Sequence, residues 1–121
     1  MSSYRQQELH QASAAIAKGH KDPDNLRQLL IWTTSSTTSD LVETYFRQHL
    51  NDQELLRALV AIAMEGDDAG DAPWAAANVV AEFPAVLLAD FKAELVELSQ
   101  HPWSYLHVPA RRALGKLQGA A

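Results

Sequence analysis

Leu55-Leu56-Arg57-Ala58-Leu59-Val60-Ala61-Ile62-Ala63 and, 36 residues on, Phe91-Lys92-Ala93-Glu94-Leu95-Val96-Glu97-Leu98-Ser99 decide how this chain folds. In both stretches apolar side chains recur at three- and four-residue intervals, the period of a helix with one buried face. The same shift carries Leu55 onto Phe91, Leu59 onto Leu95, Val60 onto Val96 and Ile62 onto Leu98, then Pro73 onto Pro109 and Ala77 onto Ala113. One helical hairpin over 52–83 is thus repeated over 84–118. A looser copy lies over 23–50, where Leu29 and Leu30 take the places of Leu59 and Val60. A repeat of this length predicts stacked helix pairs, each burying its apolar face against its neighbours.

Working outward, helix signals cover the rest of the chain. Leu9, Ala12 and Ile16 make an apolar stripe over 3–19, and Gly19 offers a C-terminal cap. Asp22-Pro23 reads as a helix start, a capping side chain followed by proline where its missing N–H does no harm. Leu26, Leu29, Leu30 and Thr33 continue that helix until Ser35-Ser36-Thr37-Thr38 ends it. Ser39 is positioned to cap the next, with Leu41, Val42, Tyr45, Phe46 and Leu50 as its buried face. Asn51 and Glu54 have the spacing of a capping box. Asp71 and Pro73 open a helix with Trp74, Ala77, Val80 and Ala81 inward, and Pro84 ends or kinks it. Leu87, Leu88, Phe91, Leu95 and Leu98, then Leu106, Ala110, Ala113, Leu114 and Leu117, supply the last two faces. The expectation is an all-α chain: one domain over 1–121, a short right-handed α-solenoid of about seven helices. Residues 1–20 form the N-terminal cap helix, and 23–50, 52–83 and 84–118 form three hairpins.

The stretch Leu106-His107-Val108-Pro109-Ala110-Arg111-Arg112-Ala113-Leu114-Gly115-Lys116-Leu117 resembles the second helix of a HEAT repeat. In that family an aliphatic–basic pair precedes a small residue, and Ala-Leu-Gly stands near the end. Leu106-His107, Ala110 and Ala113-Leu114-Gly115 follow that order, and the helix ending Leu95-Val96-Glu97-Leu98 resembles the first helix of such a unit. The match covers about residues 88–118 and is loose over 40–83. The chain departs from the family in a period shorter than the roughly 40–47 residues usual there. It also carries His107 where the family has arginine, with Trp74 in that place in the middle repeat. The resemblance implies a helical array serving as a binding surface.

Composition narrows the function classes. The chain has 121 residues, 47% of them hydrophobic, and no cysteine, so disulfides, thiolate metal sites and cysteine nucleophiles are excluded. The N-terminal residues are polar and lack the apolar stretch of a signal peptide. The longest apolar run, Ala58–Met64, falls far short of the roughly 20 residues needed to span a bilayer, so a cytoplasmic protein that does not enter membranes is expected. No phosphate-binding glycine loop and no His-Glu-x-x-His occur. The histidines His10, His20, His49, His101 and His107 are scattered. His101 and His107 flank one turn, but no carboxylate follows them to complete a metal set. Asp67-Asp68-Ala69-Gly70-Asp71 lacks the alternating ligands and distal glutamate of a calcium loop. Glu94 with Glu97, and Asp40 with Glu43, read as solvated helix faces rather than acid–base pairs. The expectation is a non-enzyme with no cofactor and no metal.

Charge is distributed unevenly. The formal net charge is −5. Residues 1–50 are neutral. Residues 51–100 carry ten acids against Arg57 and Lys92, whereas 101–121 carry Arg111, Arg112 and Lys116 and no acid. A concentrated negative field speeds encounter with a basic partner and repels nucleic acid. Trp74 and Trp103 stand at the starts of second helices, where aromatic side chains either lock a hairpin or anchor a partner, and Trp32 reads as core. The expected function is therefore non-catalytic binding of a basic protein, with Glu65, Asp67, Asp68, Asp71, Trp74 and Glu82 as the contact residues. Bacterial immunity proteins, which occlude a cationic toxin or nuclease site with carboxylates, are a class with this physics. Two alternatives are an adaptor or scaffold module, open to homo-oligomer formation, that holds a peptide helix between hairpins, and a nucleic-acid binder or enzyme contacting its target through Arg111, Arg112 and Lys116.

Overall fold

The structure, a computed structural model, describes residues 3–66 and 70–119. Among those residues every regular element is helical. In chain order these are α1 (Tyr4–Lys18), α2 (Pro23–Trp32), α3 (Ser39–Arg47), α4 (Gln53–Ala63), α5 (Asp71–Val80), α6 (Ala85–Leu88), α7 (Lys92–Ser99) and α8 (Ser104–Gly119). A 3₁₀ turn at Ala89–Phe91 joins α6 to α7 with no residue between them, so the helical segments among the described residues number seven. No helix among the described residues is long and apolar enough to cross a membrane. The chain divides into two compact units, Met1–Gln48 and His49–Ala121.

In the first unit α1 packs on α2 and α3, and α2 packs on α3. Ala12, Leu26, Leu29, Leu30, Val42 and Phe46 are buried there. Gly19 closes α1 at φ 86 and ψ −166, a conformation open only to glycine, and its N–H reaches the carbonyls of Ala15 and Ile16. Asp22 caps α2 by accepting from the N–H of Asp24, with Pro23 behind it, as its sequence signature predicts. The buried Asn25 donates through Nδ2 to the carbonyls of Ala15 (2.9 Å) and Gly19 (2.6 Å), holding the end of α1 against the start of α2.

Three local expectations fail in this unit. Ser39 does not cap α3. It is the helix's first residue, and Thr38 stands in the cap position without a capping bond, its hydroxyl donating instead to the carbonyl of Trp32 at 2.7 Å. A buried hydroxyl must find a partner, and the end of α2 supplies a nearer one. Leu9 and Leu41, expected inside, are exposed, because a three-helix unit covers only a narrow stripe of each helix. Trp32 is half-buried rather than core, lying at the C-terminal end of α2. Signals can also be missed: Ser3 and Gln6 form a capping box at α1, each side chain bonding the other's backbone N–H.

In the second unit α4 pairs with α5 and α7 pairs with α8, and the two pairs meet through α5 and α8. Leu55, Leu56, Leu59, Phe83, Leu88, Leu95 and Leu106 are buried in its core. The 36-residue correspondence holds inside it: Leu55 and Phe91, Leu59 and Leu95, Ile62 and Leu98, and Ala77 and Ala113 are all buried. Val60 is 3% exposed and Val96 38%, so that pair matches in type but not in burial. The α4 cap is Asp52, which accepts from the N–H of Leu55, one residue later than the Asn51 expected from the capping-box spacing.

The two matched prolines differ in setting. Pro73 sits in the first turn of α5, where the N–H that proline lacks would have no intrahelical partner. Pro109 lies inside α8, where it cannot donate to the carbonyl of Tyr105. Lys116 ties the two pairs together. Its ammonium donates to the carbonyls of Ala81 and of Phe83 (3.1 Å), just past the end of α5, where the helix dipole favours a cation.

Candidate interaction surface

α5 begins after a connection that leaves α4 at Met64, and α8 begins after the turn that leaves α7 at Gln100. These two connections lie close together at Gly66 and His101. A methyl group at Gly66 would lie 3.8 Å from Nε2 of His101. Gly66 has φ 82, which lets the chain turn there without the strain an L side chain brings.

The α7–α8 turn is fixed by two histidines. Nδ1 of His101 accepts from the backbone N–H of Trp103 at 3.0 Å, so its neutral ring carries the proton on Nε2. His107 has the opposite tautomer, since its Nδ1 donates to the carbonyl of His101 at 2.8 Å. Each side chain thus bonds a backbone group of the same turn. Among the described residues no three His, Cys, Asp or Glu side chains gather in a metal-binding group.

Three aromatic rings sit at this end of the second unit. Trp74 lies in the first turn of α5, Trp103 just before α8 and Tyr105 in the first turn of α8. Tyr105 stands between the indoles, with ring centroids 5.0 Å from Trp74 (tilted 52°) and 5.2 Å from Trp103 (edge-on at 80°). Such tilted and edge-on pairs are the favoured aromatic geometries. Both indoles are half-buried, and Tyr105 is 51% exposed. No described residue hydrogen-bonds to either indole N–H or to the Tyr105 hydroxyl; neither indole N–H is buried unpaired, and Tyr105 is itself half-exposed. Trp74 thus links α5 to α8 through Tyr105 and is itself half-buried.

The carboxylates distribute as follows. Asp71 is exposed at the first position of α5, three residues before Trp74, and side chains at that spacing share a helix face. Glu65 is exposed just past α4, beside Gly66. Glu82 is exposed but lies past the opposite end of α5, eight residues beyond Trp74, so the structure separates it from the others. Asp67 and Asp68 lie outside the described residues. Asp71 and Glu82 have no ion-pair partner among the described residues.

Two of the three basic residues of the C-terminal segment are engaged at helix ends. Arg111 donates from Nε to the carbonyl of Ser99 at 3.1 Å, at the end of α7, and Lys116 is held at the end of α5. Arg112 alone of the three is exposed with no such bond among the described residues.

Tyr105 is the residue that sequence reading missed. It carries no charge and belongs to no motif. Its only signal is its spacing from Trp103, and its role depends on α8 bringing it against Trp74 of another helix. In the first unit an open cleft of about 270 Å³ between α1 and α2 is bordered by Gln11, Lys18, Gln28 and Trp32. Its amide Asn25 is already committed to two carbonyls. No protein-family model, curated protein or solved structure matches the chain.

Proposed function

We propose that this protein is a non-catalytic binding module that takes up a basic protein partner on the acidic, aromatic end of its second unit. The observation that carries this reading is the placement of the exposed, unpaired Asp71 one helical turn from Trp74, whose ring belongs to a three-ring surface. Glu65 at the preceding connection extends the negative potential, and Asp67 and Asp68 lie between it and Asp71 in the sequence. Ten acids against two bases over residues 51–100 supply the long-range field that draws in a cation. An immunity protein that covers a cationic toxin site is the specific form this physics favours. The HEAT-like solenoid is the architecture proposed to go with it, supported by two hairpins packed through their second helices.

The engagement of Arg111 and Lys116 at helix ends disfavours the nucleic-acid reading, since those charges already serve backbone carbonyls. The test is comparative capture from the protein's native cells. The wild-type chain and an Asp67→Asn/Asp68→Asn/Asp71→Asn variant serve as baits side by side. The reading expects a basic protein on the wild type that is released by salt and lost from the variant, chiefly through slower association. An identical set of bound proteins on both baits, or retention indifferent to salt, overturns it.

A further inference from the structure

We infer that the partner presents an arginine guanidinium, in preference to a lysine ammonium, to the ring of Tyr105 between Trp74 and Trp103; this rests on the basic-partner reading above. Tyr105 is half-exposed while its neighbours hold it at 5.0 and 5.2 Å, so its ring is fixed before any partner arrives. A planar guanidinium stacks on such a ring and is weakly hydrated, whereas an ammonium is a compact, strongly hydrated point charge. The rings are too close together to enclose a cage, because their own contacts fill the space between them. They offer a platform, and platforms suit a flat cation. Two indole N–H groups and one phenol with no hydrogen-bond partner among the described residues give these rings the mixed apolar and polar character that interfaces favour. Asp71, on the same helix face as Trp74, supplies a carboxylate of the kind with which arginine forms paired hydrogen bonds. The unit uses the same chemistry internally, with Arg57 lying 5.6 Å over the ring of Phe91.

The experiment is a fluorescence-anisotropy titration of two labelled peptides, hexa-arginine and hexa-lysine, into the whole chain. The wild type is expected to bind hexa-arginine about two- to fivefold more tightly for each stacked guanidinium. Tyr105→Leu brings that ratio down towards the value set by charge alone, and Tyr105→Phe retains it. Equal binding of the two peptides by the wild type overturns the arginine inference whether or not any variant folds. If that equal binding still weakens in the Asp67→Asn/Asp68→Asn/Asp71→Asn variant, the basic-partner reading stands without it. An arginine preference that survives Tyr105→Leu unchanged also overturns the inference. Failure of both peptides to bind at low salt overturns the inference together with the reading beneath it.

Discussion

Replacing Lys116 by methionine removes a charge from the joint between two helical hairpins while keeping most of its hydrocarbon stem. In the native chain the ammonium serves the carbonyls of Ala81 and Phe83, both on buried residues. A hydrogen bond from a charged donor contributes about 1.5–3 kcal/mol, and a cation at a helix C-terminus about 0.3–1 kcal/mol. Lys116 is only partly buried, so water replaces some of what is lost and the lower end applies. The expected cost of Lys116→Met is about 2 kcal/mol. For a unit the size of His49–Ala121 that lowers the melting temperature by roughly 10 °C. Urea denaturation followed by circular dichroism measures it, with Arg112→Met as the companion variant. Arg112 is exposed and has no partner among the described residues, so its replacement should stay within about 0.5 kcal/mol. A Lys116→Met chain as stable as Arg112→Met would refute the claim that the lysine joins the hairpins.

Other outcomes follow from the same geometry. Gly19→Ala should cost about 1–3 kcal/mol in thermal unfolding although the new methyl would make only an ordinary 3.9 Å contact with the Tyr45 hydroxyl, because φ 86 with ψ −166 excludes L residues. Asn25→Leu should cost about 2 kcal/mol by removing the side-chain donor that the carbonyls of Ala15 and Gly19 share. Asn25→Asp should be still less stable at pH 7 and recover towards pH 4. The ionised carboxylate faces two carbonyl oxygens, so its native pKa is raised, and stability is lost as pH rises through it. Leu59→Ala and Leu95→Ala, at matched positions of the repeat and both fully buried, should each cost about 2–5 kcal/mol in denaturant melts.

The all-helical class was legible because period and punctuation agreed: Asp22-Pro23, Gly19 and Pro84 all mark the helix boundaries their chemistry predicts. What escaped were choices settled by competition between neighbours. Thr38 gave up capping α3 because its hydroxyl met the carbonyl of Trp32, and α4 took Asp52 over Asn51 as its cap. Leu9 and Leu41 satisfy a helical stripe on paper, yet a stripe does not say how wide the facing helix is. For the site, charge density and Trp74 could be read directly, since both belong to one segment. Tyr105 could not, because its importance arises from two helices meeting. Glu82 was grouped with the other acids by sequence alone, and α5 carries it to the far end.

Nuclear magnetic resonance offers the most direct test of where a cation binds, since Trp32, Trp74 and Trp103 give one indole N–H signal each. On titration with unlabelled hexa-arginine, the signals of Trp74 and Trp103 should move together with the backbone amides around residues 64–75 and 101–108, while that of Trp32 stays in place. Shifts that centre on Trp32, or that leave both Trp74 and Trp103 unmoved at saturation, would contradict the account.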